Sequence, residues 1–167
     1  MFPDLTPTMS ISTRSQEQFT PTAAILAWLW PGLGHIHLGE RRRGFLVMFG
    51  VLFLFGSGVL IGGIDSVDHR DDRLWFLAQV LCGPIAVATD LANQSIVKQL
   101  PPDWERRYWQ SDPQVRAMVG YKGLGHVNEI GTLYGALAGL MNLVAILDAL
   151  HPSHRREEMR RRWNTGV

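Results

Sequence analysis

The chain has 167 residues, 46% of them hydrophobic and 19% charged, with a formal net charge of +1. That length fits one domain, and so even a charge balance gives no ground for nucleic-acid binding. Cys82 is the only cysteine, which excludes an intrachain disulfide and any multi-thiolate metal site.

Residues 1–22 carry a single base, Arg14, among Ser, Thr, Pro and Gln. They read as a disordered tail and lack the basic start, apolar core and small-residue exit of a cleavable signal peptide. The first apolar segment, 23–38, opens as Ala-Ala-Ile-Leu-Ala-Trp-Leu-Trp and then meets Pro31-Gly32-Leu33-Gly34. Proline removes a backbone donor and clashes one turn back. The segment is therefore either a kinked, thin span or a partly inserted hairpin arm. The short basic link Glu40–Arg43 pairs it with segment two, 44–64, which runs about twenty residues without a charge. At ~1.5 Å per residue that run reaches roughly 31 Å, the thickness of a bilayer's hydrocarbon core. Within it Gly58 and Gly62 stand four apart, a spacing that lets helix backbones approach closely.

The loop 65–73 sets four aspartates against two arginines, and segment three, 74–92, then contains Gln79, Gly83-Pro84 and Asp90. Residues 93–129 form a polar connector with two short helices expected in it. The first follows Pro101-Pro102, with Asp103 as its cap, and mixes Trp104, Tyr108 and Trp109 with Arg106 and Arg107, as a helix in the headgroup layer does. The second restarts at Ser111-Asp112-Pro113. In segment four, 130–150, Gly131, Gly135 and Gly139 recur every four residues on one helix face, with Asn142 beside them. That face is expected to meet another helix, from this chain or from a second copy. A basic tail, 151–167, closes the sequence.

The fold class implied is all-α: an integral membrane helical bundle of about four hydrophobic helices plus short interfacial ones, with 23–150 as the single domain. Four full crossings leave the orientation undecided, because eight Lys or Arg residues fall on each side of the 16 in total.

Pro31, Gly32, Gly34, His35 and Gly39, followed by Gly44 and a long apolar helix, resemble the hairpin of the two-transmembrane-helix domain family. The whole chain is similar to an uncharacterised group of small bacterial membrane proteins related to that hairpin. The matching residues are Ala78-Gln79 and Gly83 in segment three, then Gly131, Leu133-Tyr134, Ala138-Gly139-Leu140, Asn142-Leu143 and Asp148. The resemblance implies a multi-pass protein of the bacterial cytoplasmic membrane and no particular chemistry. It departs from the hairpin family at His37-Leu38, where that family carries an aromatic pair.

His35, His37, Asp90, His126 and Asp148 are the candidates for a metal site or proton relay, since imidazole and carboxylate at membrane depth are functional candidates. No His-Glu-x-x-His pair is present, and His35 and His37, two apart, point to different helix faces. Capping of free carbonyls suits the two histidines better, and Asp148 has Arg155 or Arg156 within reach. Gln79 and Asn142 suit interhelical hydrogen bonding. Gly123-Leu-Gly-His126 repeats Gly32-Leu-Gly-His35, a weak phosphate-cradle signal. No catalytic motif, cofactor or metal is expected. The expectation is a non-enzymatic membrane protein that works by helix–helix association, its partners being the lipid bilayer and a second copy or another membrane protein. A small transport or ion-handling subunit is the alternative, and it requires Gln79, Asn142 and Asp90 to converge on one cavity. An intramembrane metal site or enzyme ranks below both.

Overall fold

A computed structural model describes residues 19–70, 72–123 and 126–151. The expected N-terminal tail, for all but its last residues, lies outside the described residues. So do the basic tail after His151, with Arg155 and Arg156, and the centre of the second Gly-Leu-Gly-His. Among the described residues the secondary structure is helical apart from one isolated bridge between Gly63 and Lys122.

The helices are α1 (Pro21–Leu29), α2 (Leu33–His37), α3 (Arg41–Gly62), α4 (Arg73–Gln79), α5 (Pro84–Ile96), α6 (Trp104–Trp109), α7 (Pro113–Val119) and α8 (Val127–Leu150). Among the described residues only α3 and α8 are long and apolar enough to cross a membrane. At ~1.5 Å per residue they reach roughly 33 and 36 Å. They run antiparallel along their whole length. Arg43 meets Asp148 at one end, Gly50 faces Met141 midway, and Gly58 and Gly62 lie on Gly131 at the other.

Segments one and three do not form full-length helices, and the physical cause is the same in both. Trp30, ahead of Pro31, is extended at φ −149°, ψ 123°, as the residue before a proline prefers, and Gly32 turns the chain at φ +83°. The polypeptide then folds back through α2, so 23–38 is a hairpin and not a span. In segment three Gly83 adopts φ +86° and Pro84 occupies the first turn of a new helix. The expected helix 74–92 is therefore two: α4, continued by one 3-10 turn over Val80–Cys82, and α5, which runs on to Ile96.

The two hairpins enter from opposite ends. Thr20 hydrogen-bonds to Leu150 and Ala149, and Ala27 lies beside Asn142, so α1 descends along α8 from its C-terminal end. Gln79 lies beside Thr132 and Leu81 beside Asn142, so α4 descends from the N-terminal end. Both tips reach the same level, near the middle of α8. There the Trp28 indole donates to the Val80 carbonyl at 3.2 Å. Gly83 packs so closely on the Trp28 carbonyl that a Cβ there would collide with it.

The core is narrow, built on Val51, Phe55, Val67, Cys82, Ala86 and Ala138, with a second cluster of Ala23, Ala27 and Ala149. The outer surfaces are apolar: Leu46, Phe49, Phe53 and Leu60 on α3, and Val144 and Leu147 on α8, are all more than half exposed. The connector forms α6 and α7. Asp103 stands at the N-terminus of α6 but binds Arg106 in place of capping the backbone. Asp112 caps α7 through the Gln114 and Val115 N–H groups.

Candidate functional site

The interior polar side chains act on the backbone. A helix that stops inside an apolar layer leaves carbonyls without partners, and these must be met by protein. Asn142, fully buried on α8, does this for both hairpins at once. Its Nδ2 donates to Ala27 O at 3.2 Å and to Leu81 O at 2.8 Å. Gln79 Nε2 donates to Ser66 O at 2.9 Å and Thr132 O at 3.3 Å, and the Thr132 hydroxyl also reaches Ser66 O. Asn93 Nδ2 donates to Val67 O.

The small residues of α8 are covered from within the chain. A Cβ on Gly131 would lie 2.6 Å from Gly58 O, one on Gly135 would lie 3.1 Å from Gln79 Nε2, and one on Gly139 would collide with Ala78 O. Tyr134 lies against Gly58. The face meets α3 and α4 of its own chain. In the first hairpin Gly32 and Gly44 pack backbone to backbone, Gly34 sits on Ala23 and Ala27, and Gly39 turns the chain into α3 at φ +83°.

The five ionisable candidates do not gather. His35 Nε2 lies 2.8 Å from Asp148 Oδ2, and the Arg43 guanidinium meets the same oxygen at 2.7 Å. The expected partners Arg155 and Arg156 lie outside the described residues. The arrangement has an electrostatic cause: a base at a helix N-terminus and an acid at a helix C-terminus each oppose the macrodipole, and side by side they neutralise one another. His37 is exposed, and His126 pairs with Glu129 at the surface. Asp90 is buried rather than superficial, and binds both the Nδ1 (2.7 Å) and the backbone N–H (3.0 Å) of His69. Gln79, Asn142 and Asp90 therefore face three separate sets of partners.

Asp68, His69 and Asp90 place one potential ligand atom each within 4.8 Å of one another. Sequence reasoning missed His69, because no spacing ties it to an aspartate 21 residues on. A cation already serves this cluster: Lys98 Nζ lies 2.6 Å from Asp68 and 3.6 Å from Asp65, and Asp68 also accepts from Arg70 N and Gln94.

A cavity of about 510 Å³ opens sideways between α3 and α8. Leu46, Val47, Gly50, Met141, Val144 and Ala145 form its walls, and His35, Arg43 and Asp148 close one end. It is apolar along its length and charged at that end, the character of a site for an amphiphile.

No curated protein and no solved structure matches the chain. Residues 22–161 match a family of unknown function, and the chain belongs to that family, DUF6677.

Proposed function

We propose that this chain is an integral membrane protein that crosses the bilayer twice, through α3 and α8, and holds two half-length hairpins inserted from opposite faces. The observation that carries it is the meeting of the hairpin tips at mid-length, where Asn142 supplies donors to the carbonyls of both. A fold surrounded by lipid needs that provision, because the hydrocarbon offers no water to an interrupted helix. The exposed apolar surfaces of α3 and α8 support the same view, since soluble proteins rarely present such continuous patches.

Two crossings also break the tie in orientation. Thr20, Arg41–Arg43 and His151 then share one side, which takes nine of the 16 Lys and Arg residues and leaves seven for the other. The excess, with three arginines directly against α3, makes that side cytoplasmic. Its role is non-catalytic: the buried Gln79, Asn93, Thr132 and Asn142 are engaged on backbone carbonyls. With the glycine face of α8 turned inward, the surface for a second copy or another membrane protein is the outer stripe of α3 at Phe45, Phe49 and Phe53.

Single cysteines at His37 and Gln99, both exposed, test the topology. A membrane-impermeant maleimide added to intact cells should label Gln99→Cys, and His37→Cys only after permeabilisation. A chain with four crossings places the two on the same side, so equal labelling overturns the arrangement. Release of the chain by an alkaline carbonate wash overturns membrane embedding itself. Disulfide trapping of a Phe53→Cys variant tests the α3 stripe, and a strictly monomeric product removes self-association there.

A further inference from the structure

We infer that the cavity between α3 and α8 is a binding site for one anionic phospholipid, with an acyl chain in the slot and its phosphate on Arg43. The inference rests on the membrane embedding proposed above. The slot starts at the level of Arg43 and Asp148, at the ends of their helices. It runs inward to Gly50 and Met141, about 10 Å deeper at ~1.5 Å per residue. In the proposed two-crossing arrangement the helix ends at Arg43 and Asp148 lie at headgroup level and the slot runs from there into the hydrocarbon. Leu46 and Val144, well exposed on the two rims, leave the slot open toward the surrounding lipid, so a ligand enters sideways.

Gly50 creates the space. It is the glycine of α3 that faces the slot, and a Cβ there would lie 3.2 Å from the Met141 methyl. At the mouth, Arg43 has five N–H donors. It meets Asp148 at 2.7 Å and Glu40 at 3.7 Å, and its side chain remains 44% exposed. Arg41 and Arg42 precede it, so the first turn of α3 carries three guanidinium groups. Bidentate capacity toward phosphate oxygens is the property that separates Arg from Lys in such a place. His35, buried at the back of the mouth, keeps Nδ1 without a hydrogen-bond partner among the described residues.

The test is native mass spectrometry of the full chain released from nanodiscs of phosphatidylcholine containing one-tenth phosphatidylglycerol. The wild type should retain one phosphatidylglycerol per chain, at least tenfold enriched over its share of the bilayer. Gly50→Leu, which fills the slot, should lose it. Arg43→Gln should lose the headgroup preference, and Arg43→Lys should restore it only in part. Leu91→Trp adds bulk to a lipid-facing position on α5 and should bind as the wild type does. If Gly50→Leu fails to fold, Val144→Trp fills the slot from its exposed rim and should give the same loss. Equal retention of phosphatidylcholine, or wild-type retention by both filling variants, overturns the site. Thermal stabilisation by inorganic phosphate alone, equal to that by the lipid, overturns the acyl-chain part. A chain that stays in the membrane through the carbonate wash and retains no anionic lipid refutes this site and leaves the embedding standing.

Discussion

At the scale of single residues the structure turns on donors that reach interrupted helices. Asn142 has no exposed surface, and its amide serves carbonyls from both hairpins. Asn142→Ala removes both bonds and leaves two acceptors in an apolar interior. A cost of about 1–3 kcal/mol is expected, read as a lower unfolding midpoint in detergent, with little change in secondary structure. Wild-type stability of that variant would mean that the hairpin ends are satisfied by something other than Asn142. Asp112 gives a separate case on the connector. Its hydrogen bond with Arg107, then the N–H groups of Val115 and Gln114, hold its carboxyl below the ordinary 3.8, against the opposing effect of desolvation. A carboxyl lowered in the folded state stabilises above its unfolded pKa, and that contribution is lost as pH falls through the folded value. The α6–α7 pair should therefore loosen as pH drops from about 3.8 downward. An NMR titration should show the step, and Asp112→Asn should abolish it.

At the scale of elements, glycine sets which helices touch. Gly139 and Gly58 sit where another backbone passes, so a leucine at either site separates helices of one chain. Gly139→Leu is thus expected to cost folding rather than association: the variant should reach the membrane yet become protease-sensitive within 73–96. A stable variant whose only change is a lost oligomer would show that the face is turned outward. Gly83→Ala combines a strained φ with a clash on the Trp28 carbonyl. The backbone term alone is worth about 1–3 kcal/mol, and labelling of Cys82 by a small thiol reagent should report the parted tips. The small-residue periodicity of 131–139 was plain in the chain, but which helix would fill it was not. Spacing identifies a face and not its occupant. The breaks were legible too, in Pro31-Gly32 and Gly83-Pro84. Only the first stands out as an interruption, because apolar residues continue on both sides of the second and their run mimics one long helix.

At the scale of the whole molecule, composition told all-helical and apolar, and it overcounted the long helices. Four oily segments became two long helices and two turned-back pairs, a distinction held in tertiary contacts such as Trp28 to Val80 that no local pattern encodes. The His35–Asp148–Arg43 cluster was hidden for the same reason, its members lying up to 113 positions apart in the chain. Asn142 lies near the end of the described chain, while Ala27 and Leu81 come off the ribosome long before it. Until α8 is made, the carbonyls of both tips lack that donor. The keystone is made after the parts it holds: a product cut short before residue 142 has both hairpins and no closure for them, and is expected to fall to quality control.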